Sequence, residues 1–214
     1  MATYDNSNQT ARSLLVQADG KIVVAGIENN GNDTDFALIR YNTDGSRDPG
    51  FGEGGEVSTD ILGARAIYSG DQDFATLRYD NDGNLDTGFN TNGIKVDWIG
   101  RNTKDVAVSL LAQADGKLIA AGRSSYNTSG DLNSPTDIAL VRYNINASLD
   151  TDFAIDGRAT KTIVTPYSAG KDLIGQVDGK IVCLVESYDG SAVGGALMHL
   201  SPEPGLNYLR TGKR

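Results

Sequence analysis

The sequence predicts an all-β chain, a β-propeller-like array of about four antiparallel blades with one of them incomplete. Three observations predict it. A phrase recurs at fixed offsets: Val16-Gln17-Ala18-Asp19-Gly20-Lys21-Ile22-Val23-Val24-Ala25-Gly26 returns as Ala112-Gln113-Ala114-Asp115-Gly116-Lys117-Leu118-Ile119-Ala120-Ala121-Gly122. Such a repeat is one supersecondary unit that buries its apolar face only against its copies. Asp-Gly stands between short β-branched runs, where a hairpin turn needs the positive φ that glycine takes at no steric cost. No stretch sustains a helical period, and 26 glycines weigh against helix.

The units can be placed in order. Gly20 to Arg40 spans 20 residues, as does Gly179 to His199. Arg40 to Phe51 spans 11, as do Arg78 to Phe89 and Arg142 to Phe153. One repeat domain over 1–214 results, with units at about 9–60, 61–99, 103–164 and 170–214. In the first, Leu14–Gln17 and Ile22–Ala25 read as a hairpin. Phe36–Tyr41 is a third strand, apolar on both faces apart from Arg40, which places it between layers. Glu56–Thr59 gives a fourth, matched by Ile94–Trp98 in the second unit. That second unit aligns Arg65–Gly70 with Lys21–Gly26, and one strand with its turn is missing before it. The third unit carries a polar excursion, Ser124–Thr136, which leaves the core alone and holds Tyr126 as a candidate contact residue. The fourth drifts after Val182 and lacks its last strand, for which Ala2-Thr3-Tyr4-Asp5 is a candidate because it resembles Val57-Ser58-Thr59-Asp60.

The phrase Val-Gln-x-Asp-Gly-Lys-Ile-Val-Val-Ala-Gly, with the Phe-Ala-Leu-x-Arg-Tyr-Asn-x-Asp-Gly-Ser that follows, resembles the bacterial delta-60 repeat family. The resemblance implies propeller-like arrays in secreted or surface-exposed proteins, hence an extracellular or cell-surface location. It implies no chemistry.

Composition narrows the partners. A net charge of −9 repels phosphate backbones and anionic lipids, so neither nucleic acid nor membrane is expected as a partner. No apolar run approaches the roughly 20 residues of a membrane helix. The polar start, Met1–Thr10, shows no signal-peptide core. The single cysteine, Cys183, lies in the apolar run Ile181–Val185 without an evident cationic neighbour, which favours a buried core thiol over a nucleophile. The single histidine, His199, occupies the register of Arg40, Arg78 and Arg142 and reads as a drifted structural position. No Ser/His/Asp order, P-loop, dinucleotide fingerprint or zinc spacing is present.

Two sets of charged residues remain. The repeated arginines are flanked by Asp35, Asp73 and Asp137 before and by Asp48, Asp86 and Asp150 after. An arginine in an apolar strand needs a partner to offset desolvation, so a repeated Arg–Asp lock is expected, with a ring of anion-binding arginines as the alternative. Phe51, Phe89 and Phe153 read as inter-blade packing. The segment Asp80-Asn81-Asp82-Gly83-Asn84-Leu85-Asp86 places oxygens at alternate positions around a glycine. Asp80, Asp82 and Asp86 are therefore candidate Ca²⁺ ligands, and an Asx turn bonding its own backbone is the competing reading. Ala147 replaces that glycine in the third unit. The expectation is a non-enzymatic scaffold or binding module presenting loops to a protein or glycan. The alternatives are a calcium-stabilised lectin-like module and a propeller hydrolase or lyase, and self-association through open blade edges is expected if the ring is not closed.

Overall fold

A computed structural model of the chain describes residues 8–29, 34–60, 73–100, 103–125, 135–154, 156–162, 167–178 and 180–200. Every regular element among them is a strand. The first repeat is a four-stranded antiparallel sheet, β1 (Asn8–Val16), β2 (Ile22–Asn29), β3 (Thr34–Tyr41) and β4 (Glu56–Thr59), in sequential order. The second repeat contributes a two-stranded pair, β5 (Phe74–Leu77) and β6 (Ile94–Asp97). The third is β7 (Lys104–Ala112), β8 (Leu118–Ser125), β9 (Thr136–Tyr143) and β10 (Arg158–Lys161). The fourth is β11 (Tyr167–Gly175), β12 (Ile181–Tyr188) and β13 (Val193–Leu200). The all-β, blade-like organisation read from the sequence is therefore present. The strands before and after each Asp-Gly run longer than the apolar residues alone suggested. The expected strand at 65–70, the N-terminal segment 2–5 and Tyr126 lie outside the described residues.

The hairpin turns follow from the repeated phrase. Gln17 N–H donates to Lys21 O at 2.8 Å, Gly20 N–H donates to Gln17 O at 2.9 Å, and Gly20 has φ +83°. This is a three-residue loop closed by a left-handed glycine rather than a two-residue turn. Asp19 adds a side-chain cap by accepting Lys21 N–H at 3.1 Å, and Asp115 and Asp178 do the same for Lys117 and Lys180.

Each first strand then bulges. The register shifts between Ala11 and Ser13, between Ala107 and Ser109, and between Gly170 and Asp172. Opposite the bulge stand Ala11 and Gly26, Ala107 and Gly122, and Gly170 and Val185. The fourth repeat thus carries its glycine on the other strand. At Gly122 a Cβ would lie 1.9 Å from Val106 O, so the bulged backbone occupies the side-chain position.

Two compact units divide the chain, 1–63 with 77–86, and 64–76 with 87–214. In the second, two apolar layers form on the two faces of the third repeat. On one, Ala120, Ala139, Val141 and Tyr143 pack with Phe74 and Ile99 of the second repeat. On the other, Ile119, Ala121, Ile138 and Leu140 pack with fourth-repeat residues that include Ile181, Cys183, Val185 and Met198. A strand buried on both faces, as β9 is, explains why its sequence lacks alternation. One feature was not legible. A single parallel pairing, Tyr167 with Thr136, joins the third and fourth repeats into one seven-stranded sheet.

Candidate functional site

The repeated arginines form locks. Arg40 Nε donates to Asp48 Oδ2 at 2.6 Å, Arg78 Nε to Asp86 Oδ2 at 2.8 Å, and Arg142 Nε to Asp150 Oδ2 at 2.7 Å. The aspartate after the arginine is the partner in each case. Of those before it, Asp137 instead accepts the Thr162 hydroxyl. Lysines join two of the locks: Lys21 Nζ reaches Asp48 at 2.9 Å and Lys117 Nζ reaches Asp150 at 2.8 Å. Phenylalanine closes the corner, with the Arg40 guanidinium 4.6 Å from the centre of the Phe51 ring and that of Arg142 4.8 Å from Phe153. The guanidinium is thus neutralised, hydrogen-bonded and stacked. Arg40 Nη1 also donates to Asn81 O, tying the first corner to the turn of the second. The expected Arg–Asp lock is what these residues build.

The candidate calcium loop is a turn of the same kind as the hairpins. Asp80 N–H donates to Asn84 O at 2.8 Å, and Gly83 takes φ +88°. Asp80 Oδ1 accepts the N–H groups of Asp82 and Asn84, each at 2.9 Å. The backbone and side-chain amides of Asn84 hold the Asp80 carboxyl below its ordinary range. Asp86 faces Arg78, and Asp82 contributes its carbonyl, which accepts Gly52 N–H at 2.7 Å. The same link repeats one unit on, where Asn90 N–H reaches Asn146 O at 3.3 Å. Ala147 keeps the left-handed conformation, φ +68°, where other units have glycine. Among the described residues no group of three or more His, Cys, Asp or Glu side chains is placed to hold a metal ion. With Asp80 bonded to its own turn and Asp86 paired to Arg78, thermal melts in Ca²⁺ and in chelator are expected to coincide. A rise in Tm with Ca²⁺ that disappears in Asp80→Asn would return these residues to metal binding.

Cys183 is fully buried, and burial pushes its thiol up to about 12, with Asp172 adding to the rise. His199 is half-buried and pairs across from Val182.

Sequence reasoning passed over one cluster. Trp98, directly after β6, is 49% exposed, more than any other aromatic side chain among the described residues. The Arg158 guanidinium lies 4.8 Å from its ring centre. Arg158 in turn donates to Asp97 Oδ1 at 2.8 Å, and Lys95 lies 3.4 Å from the other Asp97 oxygen. Beneath it the buried Tyr143 phenol is raised far above its usual range by burial and by the Asp97 charge. The signal was present in the only tryptophan of the chain standing beside Asp97, but Arg158 is 61 residues from Asp97. This arrangement fixes an aromatic face at the surface next to charged donors and acceptors.

Residues 17–51, 61–89 and 113–153 match the family described as a domain of unknown function (DUF5122) beta-propeller. The chain is thus built of propeller-like repeats. No curated protein matches it. Among solved structures, it is similar to a hypothetical protein from Leishmania major at 8% identity, covering 98% of this chain and 69% of that one, with a TM-score of 0.35. A likeness at that score carries no inference about fold or function.

Proposed function

We propose that this propeller-like repeat chain is a non-enzymatic scaffold whose surface binds a protein or glycan partner. The proposed location, extracellular or at the cell surface, follows the delta-60 resemblance. The observation that carries the reading is Trp98, an exposed ring fixed by Arg158 and, through it, by Asp97. Rigid aromatics beside hydrogen-bonding groups recur at binding hot spots, because they bury large area at little entropic cost. The repeated charges support it too. Arg40, Arg78 and Arg142 are engaged inside the fold, as locks rather than as a reactive constellation.

Panels of immobilised glycans and extracellular proteins, probed with the purified chain, test the reading. Binding is expected, and Trp98→Ala is expected to weaken it at least tenfold, roughly 1.4 kcal/mol. The hydrolase or lyase alternative replaces this reading if the chain turns over a substrate and a point substitution abolishes that turnover.

A further inference from the structure

Asp97 Oδ2, the Tyr143 hydroxyl and Arg158 Nε are each buried and have no hydrogen-bond partner among the described residues. They share one neighbourhood behind Trp98. Arg158 Nη2 donates to Asp97 Oδ1 at 2.8 Å, and the Asp97 and Arg158 charges both act on the Tyr143 phenol. Thr76 is close enough to act on it as well, yet neither Thr76 nor Asp97 meets the phenol in hydrogen-bonding geometry. Tyr143 is 0% and Asp97 4% exposed, so bulk water does not satisfy them. Leaving a buried polar atom without a partner is costly, and native folds rarely keep several together.

The equivalent pair between the first and second repeats is closed. Tyr79 follows Arg78 as Tyr143 follows Arg142, and Thr59 ends β4 as Asp97 ends β6. Tyr79 OH donates to Thr59 Oγ1 at 2.7 Å. Between Tyr143 and Asp97 that direct bond is open. The three atoms also have a mixed polarity. The phenol O–H and Nε–H are donors, and the carboxylate oxygen is an acceptor. A cation there would face Arg158 and Lys95, whose Nζ lies 3.4 Å from Asp97 Oδ2, and an anion would face Asp97 itself. A water molecule accepts from both donors and donates to the carboxylate, and internal waters typically make about three such bonds.

We propose that a single internal water binds between Tyr143 Oη, Asp97 Oδ2 and Arg158 Nε. It completes a two-bond pairing of Arg158 with Asp97, one bond direct from Nη2 to Oδ1 and the other bridged from Nε to Oδ2. The water thereby braces the guanidinium that lies 4.8 Å from the centre of the Trp98 ring. The site is a property of the fold and stands whatever partner Trp98 meets.

A crystal structure of the full chain, at a resolution that shows ordered water, tests this. One water is expected within about 3.2 Å of all three atoms. Equilibrium denaturation of Tyr143→Phe is the second measurement. That substitution keeps the ring and its packing but removes the hydroxyl, and it is expected to lower the folding equilibrium constant about fivefold, because the water loses a donor. A direct Tyr143–Asp97 hydrogen bond with no water between them overturns the proposal, as does density that refines as an ion. So does a Tyr143→Phe chain as stable as the unaltered one, the result expected of a hydroxyl that bonds nothing.

Discussion

Gly122→Ala is expected to lower the unfolding free energy by ~3 kcal/mol or more, read by equilibrium denaturation in urea. The added Cβ would stand 1.9 Å from Val106 O, 2.8 Å from Val106 C and 3.0 Å from Ala107 Cα. All three are backbone atoms of the bulged strand, so no side-chain rotation relieves the contact. The bulge would have to flatten, and the register beyond it, Ser109 against Ala121 and Leu110 against Ala120, would slip. Those partners lie in the apolar layers, so the damage spreads into the core. Gly45→Ala is the matched comparison. Gly45 has φ +83° but open space around its Cβ direction, so its cost is conformational only, about 1 kcal/mol. Equal losses at the two positions would refute a close approach at the bulge.

Asp150→Ala is expected to cost ~3 kcal/mol, because it strands a buried guanidinium. The side chains of Arg142 and Asp150 are 6% and 4% exposed. The same substitution one unit earlier, Asp86→Ala, removes a pair whose side chains are 27% and 36% exposed, and ~0.5 kcal/mol is expected there. The two variants break the same Nε-to-carboxylate bond, so the difference between them reports burial together with the Lys117 contact to Asp150. The lock also sets the acid limit of the fold. Burial pushes the Asp150 carboxyl up, but the Lys117 hydrogen bond and the Arg142 charge outweigh it and hold it below its ordinary range. Asp48 is held down to about 2, first by Lys21. A carboxyl depressed in the folded state stabilises above its unfolded pKa, about 3.9, and loses that contribution as pH falls through the folded value. Stability is therefore expected to fall between about pH 4 and pH 2, with a shallower slope in Asp150→Ala. A pH profile that is flat in that window, or identical in the variant, contradicts this account.

The legible parts of the sequence were those in which cause and effect lie close along the chain. The Asp-Gly turns, the blade strands and the Arg–Asp pairs, always eight residues apart, are local or strictly periodic. The lysines were missed as lock partners because Lys21 and Lys117 lie 27 and 33 residues from their aspartates. At Asp80–Asp86 the difficulty was different. Alternating oxygens with a central glycine suit a cation loop and an Asx turn equally, and only the position of the neighbouring N–H groups separates them. Trp98 went unweighed because Arg158, whose guanidinium lies over its ring, comes from β10.

The transposed glycine of the fourth repeat bears on how such repeats diverge. At the bulge, smallness belongs to a pair of residues and not to either one: Gly122 with Ala107, but Val185 with Gly170. A Cβ on Gly170 would lie 3.2 Å from Gly122 O and 3.3 Å from Cys183 Sγ, a tight fit but a looser one than the 1.9 Å approach at Gly122. A position-by-position alignment counts Val185 and Gly170 as two departures, although together they preserve one constraint. Passing from one arrangement to the other by single substitutions runs through glycine on both strands, a step that weakens the hairpin without a clash. Compensated pairs of this kind let a repeat lose its recognisable signature while keeping its place in the stack.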